Sequence, residues 1–180
     1  LSHILLYLII MALDINITNF CNDVSLAIIP ISPATSGKVT ITSLTSNISK
    51  KYSVTFSGPT TNLVIASASL PNDGEGAYMV KLEENGETTH SKAMLIHCNI
   101  DCCLTKLTNE LLACDCDCPR CSKALAKAQK VYLLLQSAIA KVDEVNSLRD
   151  LGNETGYFDD IQEKYKKAKE ICDGSCGCDC

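Results

Sequence analysis

The sequence predicts an α+β chain in parts: an N-terminal immunoglobulin-like antiparallel β-sandwich over 14–100, followed by an antiparallel helical hairpin with cysteine clusters over 101–180. Three observations predict it. The first part consists of short runs rich in Val, Ile, Thr and Tyr that alternate with period two, and the second places apolar residues at spacings of three and four. The third is the count of 12 Cys in 180 residues, nearly all of them gathered around the expected helices.

Residues 1–13, LSHILLYLIIMAL, form an apolar extension that is too short to cross a bilayer as a helix. It carries no cationic leader and no small-residue cleavage site, so a signal peptide is the weaker reading. Met11 opens a plausible protein start, which makes residues 1–10 upstream reading frame outside the mature protein.

The strands expected next are Leu26–Ile31, Lys38–Leu44, Tyr52–Ser57, Leu63–Leu70, Tyr78–Glu83 and Ser91–Cys98. Pro30 to Gly37, Gly58-Pro59, Pro71 to Gly76 and Asn85-Gly86 punctuate them, and Asn-Gly between alternating runs is a hairpin signal. Tyr52, Val54 and Phe56 fall on one face of their strand, as do Tyr78, Val80 and Leu82. The stretch from Leu70 to Val80, LPNDGEGAYMV, resembles the corner before the penultimate strand of immunoglobulin-like modules, where a Tyr anchors the strand. Val80 stands where such modules usually carry a core Cys, so a sandwich of that general kind is expected rather than an antibody-type domain.

Past Ile100 the period changes. Leu104, Leu107 and Leu111 recur at helical spacing in a short segment. Cys121, Ala124, Ala128, Val131, Leu135, Ala138, Val142 and Val145 then form a long seam, with Pro119 in the first turn and Gly152 just past the end. The last helix begins near Gly156 and buries Phe158, Ile161, Tyr165, Ala168 and Cys172. Its acidic start and Lys-rich end complement the helix dipole. A short connection makes these two helices antiparallel neighbours. Tyr132, Leu133 and Leu134 widen the apolar arc beyond one partner helix, which favours a homo-oligomer.

The cysteines stand as Cys98, Cys102 and Cys103 at the junction, Cys114, Cys116, Cys118 and Cys121 before the long helix, and Cys172, Cys176, Cys178 and Cys180 at the end, with Cys21 apart from them. The pattern C-x-C-x-C-x-x-C and its terminal counterpart are too regular for scattered core thiols. Two readings stay open. The eight residues Cys114, Cys116, Cys118, Cys121, Cys172, Cys176, Cys178 and Cys180 could ligate Zn²⁺, which takes four thiolates. Alternatively no cofactor is held and the sulfurs form disulfides in an oxidising setting. C-x-C pairs and the adjacent Cys102-Cys103 bridge poorly, so disulfides are expected to run between groups. Helix rise puts Cys172 about 24 Å from the hairpin turn and Cys121 about 43 Å from it, so the terminal group could meet the junction group instead.

Catalysis finds no support. Asp115, Asp117, Asp173 and Asp179 interleave the thiols and raise their pKa, contrary to the need of a catalytic thiolate, and no nucleotide or triad motif occurs around His90 or His97. A net charge of −5, pI ≈ 5.2 and 5% aromatics without Trp argue against nucleic-acid binding. The N-x-S/T triplets at Asn16, Asn47 and Asn153 are weak signals.

The opening MALDINITNFC (Met11 to Cys21), the segment LIHCNIDCCLTKL (Leu95 to Leu107), CDCDCPRC (Cys114 to Cys121) and the terminal CDGSCGCDC (Cys172 to Cys180) together resemble Cys-rich virion structural proteins of tailed phages of Bacteroidetes, including crAss-like phages. The resemblance spans nearly the whole chain from Met11. It implies a non-enzymatic structural and interaction protein of the tail, collar or capsid surface, assembled in the host cytoplasm, with other virion proteins as partners and neither nucleic acid nor membrane bound. The alternatives are a zinc-binding adaptor module and a secreted disulfide-rich adhesion protein.

Overall fold

The computed structural model describes residues 14–19, 21, 23–29, 36–84, 87–114, 118–147 and 155–173. The expected extension at 1–13, the Asn85-Gly86 turn, Gly152, Asn153, Cys116, Cys176, Cys178 and Cys180 lie outside them. Among the described residues the fold is α+β, with seven strands in two antiparallel sheets followed by three helices.

The strands are β1 (Asp14–Asn19), β2 (Asp23–Ile29), β3 (Ser36–Ser43), β4 (Ser49–Thr55), β5 (Thr61–Ala66), β6 (Gly76–Glu84) and β7 (Glu87–Ile96). One sheet has the order β1-β2-β5 and the other β4-β3-β6-β7. The helices are α1 (Cys98–Leu112), α2 (Pro119–Ser147) and α3 (Thr155–Asp173). Two compact units result. One joins the described residues up to Gly74 with Tyr78–Met94; the other joins Glu75–Ala77 with the described residues from Leu95 onward.

Alternation marks the buried face of β2, whereas β7 is buried without alternation from Ser91 to Ile96. On β2, Val24, Leu26 and Ile28 are fully buried while their neighbours are not, and the register sets Val24 opposite Ile65 and Leu26 opposite Leu63. In the second sheet Val39 lies between Tyr52 and Leu82, and Ile41 pairs with Val80. Val39, Ile41, Val80 and Leu82 are fully buried, and each contributes about 1.5–3 kcal/mol of burial free energy. Tyr78, Val80 and Leu82 therefore share the inner face, as their spacing predicts.

β5 stops at Ala66, short of the expected Leu70. Its serines offer the backbone other partners: Ser69 Oγ donates to the Ala66 carbonyl at 2.7 Å and the Leu70 amide to the Ser67 carbonyl at 3.0 Å, closing a tight turn. Asn72 (φ 56°), Asp73 (φ 54°) and Gly74 (φ 72°) then run left-handed. Only glycine serves at position 74, since an added Cβ would lie 2.2 Å from the Ser67 carbonyl oxygen. This reversal lets the buried Tyr78 hydroxyl donate to the Pro71 carbonyl at 2.7 Å.

In the helical unit, α1 buries Ile100, Cys103 and Leu107, α2 buries Ala124, Val131, Leu135, Ala138 and Val145, and α3 buries Phe158, Ile161, Tyr165, Ala168 and Cys172. The α3 set repeats by three and four along its whole length, as expected from the sequence. α2 packs on both α1 and α3. α1 begins at Cys98, earlier than the leucine spacing indicates, and Ile100, Cys103 and Leu107 face inward while Leu104 and Leu111 are half-buried. On α3, Lys164–Asp160, Lys167–Glu163 and Lys169–Asp173 pair at i,i+4 on the outer face, where each adds only a few tenths of a kcal/mol.

Candidate functional site

Sulfur chemistry concentrates in the helical unit. Cys103 belongs to the inward stripe of α1 and Cys172 ends the inward stripe of α3. Their Cα atoms lie 5.8 Å apart, the side chains are 0% and 3% exposed, and the sulfurs are joined in a disulfide across a sequence separation of 69. This bridge unites the junction group with the terminal group. A second disulfide, Cys114–Cys121, has Cα atoms 6.2 Å apart and closes the α1–α2 connection over a separation of 7. Cys21, Cys98 and Cys102 are disulfide-bonded as well.

The Cys114–Cys121 bridge departs from the expectation that bridges run only between groups. That expectation concerns C-x-C and adjacent pairs, whereas Cys114 follows the end of α1 and Cys121 lies in the first turn of α2, with their Cα atoms within bridging range. Cys118 precedes Pro119 at the start of α2, and its carbonyl accepts the Ser122 amide at 3.2 Å, the first bond of the helix. Its Sγ lies 3.0 Å from Cys121 Sγ.

These bonds bear on the zinc reading. Of the eight candidate ligands, Cys114, Cys121 and Cys172 are halves of disulfides, and a bridged sulfur lacks the negative charge that zinc requires. Cys118 is described beside them, and Cys116, Cys176, Cys178 and Cys180 lie outside the described residues. Among the described residues no group of three or more His, Cys, Asp and Glu side chains is arranged to hold a metal ion.

An open pocket of about 280 Å³ adjoins the second bridge, lined by Glu110, Ala113, Cys114, Cys118, Arg120, Cys121 and Ala124. Elsewhere in the helical unit, Glu75 Oε1 accepts the Tyr165 hydroxyl at 3.0 Å. Burial pushes the Glu75 carboxyl above its ordinary value, against the opposing pull of the Tyr165 hydroxyl, the Asn99 backbone and His97. His97 Nδ1 lies 2.9 Å from Asp101 Oδ2. The Glu75–Tyr165 link escapes a sequence reading because Glu75 sits in a turn-like Asp/Gly corner; the one available signal is the Tyr hydroxyl on an inward stripe that otherwise carries no oxygen or nitrogen.

No protein-family model matches this chain, and no curated protein sequence matches it. Among the described residues no helix is long and apolar enough to cross a membrane.

Proposed function

We propose that the chain is a non-enzymatic structural and interaction protein, a component of a phage virion surface in which an immunoglobulin-like β-sandwich is carried by a disulfide-locked, antiparallel helical hairpin. The Cys103–Cys172 bridge carries this reading: a disulfide buried at both ends persists where the surroundings are oxidising, as on a released particle. The strand orders β1-β2-β5 and β4-β3-β6-β7 support the sandwich, as does the hydrogen bond from Tyr78 to Pro71, which has the form of a tyrosine corner. Partners are other virion proteins and further copies of the chain. The sulfurs serve as structural cross-links rather than as metal ligands.

Mass spectrometry of purified particles under non-reducing conditions tests the proposal. The expected result is the protein at a stoichiometric level, with Cys103 and Cys172 in one cross-linked peptide pair. Its absence from particles, with recovery from cell-free medium instead, would replace the virion role by that of a secreted adhesion protein. Recovery with reduced, zinc-loaded cysteines would favour the adaptor reading.

A further inference from the structure

We propose that the groove between α1 and the first turns of α2 binds inorganic phosphate, with Arg120, Lys123 and Lys127 holding the dianion and Glu110 accepting its remaining proton. The charge order of α2 is the first observation. Arg120, Lys123, Lys127 and Lys130 fall in the first half of the helix, and no Asp or Glu precedes Asp143. Arg120 therefore stands against the positive end of the helix dipole, the reverse of the order in α3, and a conflict of this kind is expected where residues serve a site rather than the helix. The second observation is pairing. All four lysines of α3 meet a carboxylate at i,i+4. Among the described residues, Arg120, Lys123 and Lys127 meet none.

Those three cations, spaced by three and four, instead line one wall of an open groove of about 340 Å³, over roughly 10 Å of helix. Leu107 and Glu110 of α1 line it as well. The groove shares Glu110, Arg120 and Ala124 with the pocket beside the Cys114–Cys121 bridge, which fastens α1 to α2 there. Three cations against one carboxylate leave two positive charges, which a dianion neutralises. The carboxylate decides between dianions. It accepts hydrogen bonds and donates none, so it meets the single P–O–H of hydrogen phosphate favourably and the bare oxygens of sulfate, or of an ionised phosphate ester, unfavourably. Asp115 and Asp117, ahead of α2 in the sequence, lower the affinity for every anion alike and leave this preference intact.

The test uses the full-length oxidised chain at mildly alkaline pH and constant ionic strength. Amide NMR shifts of residues 120–127 are followed as inorganic phosphate, sulfate or glycerol phosphate is added. The expected result is saturable binding of inorganic phosphate, with sulfate and the ester about tenfold weaker. In Arg120→Gln/Lys123→Gln, phosphate binding weakens at least about tenfold while the helical circular dichroism is retained. In Glu110→Gln, sulfate comes within about twofold of phosphate, because the neutral amide no longer repels it. Shifts that grow linearly and equally with all three ions, equal affinity for phosphate and sulfate in the unaltered chain, phosphate binding that survives the double substitution, or a phosphate preference that survives Glu110→Gln would overturn the proposal.

Discussion

Replacing both Cys103 and Cys172 with alanine removes the cross-link between α1 and α3, and its cost can be worked from the separation of 69 residues that it closes. The chain-entropy relation for a loop of that length gives about 4 kcal/mol at room temperature, against about 2 kcal/mol for the separation of 7 closed by Cys114–Cys121. Loss of the two buried sulfur atoms adds to the first figure, because both side chains sit in the inward stripes of their helices. A loss of this size is a large share of the ~5–15 kcal/mol that holds an ordinary domain folded. Urea unfolding of the two double-alanine variants, followed by helical circular dichroism, measures both costs on one scale. The long-loop variant should lose at least about 2 kcal/mol more than the short-loop variant. Equal losses, or a larger loss at Cys114–Cys121, would refute the assignment of the helical unit's stability to the α1–α3 cross-link.

Tyr78→Phe leaves the buried Pro71 carbonyl without its donor and should cost about 1–3 kcal/mol in urea unfolding of the β unit; an unchanged midpoint would contradict the role given to this corner. Gly74→Ala should cost more than the ~1–2 kcal/mol of a left-handed backbone alone, since its Cβ meets the Ser67 carbonyl, and thermal unfolding reads the difference. Glu75 titrates higher when folded than when unfolded, so below its folded value the folded chain holds the extra proton. The stability that this contributes is fully present below the ordinary value of 4.5 and is lost as pH rises through the raised one. Relative to Glu75→Gln, wild type should therefore gain stability on acidification from neutral pH; a parallel pH profile for the two proteins would count against burial of that carboxyl.

Much of this architecture is legible from periodicity because burial on one face of an element imposes its own spacing. The α3 stripe from Phe158 to Cys172 and the inner face of Tyr78, Val80 and Leu82 are cases where one period runs uninterrupted. β5 is harder to delimit: Ser67 and Ser69 satisfy backbone groups locally, which ends a strand whose apolar composition continues to Leu70. α1 is hidden for another reason. Its start coincides with Cys98, Cys102 and Cys103, and in a cluster of cysteines the helical repeat of Ile100, Cys103 and Leu107 is masked by sulfurs that point elsewhere. Pairing is a property of three-dimensional proximity. Spacing could exclude adjacent cysteines as partners, but the meeting of Cys103 with Cys172 depends on how three helices pack.

The bridge between α1 and α3 also determines how the chain withstands proteolysis. A single backbone cut anywhere between Cys103 and Cys172 leaves both fragments covalently tethered, so the cleaved pieces stay at high effective concentration beside one another and the helices can remain packed. Digestion must therefore make at least two cuts, or be joined by a reductant, before any part of the chain between these two cysteines is shed.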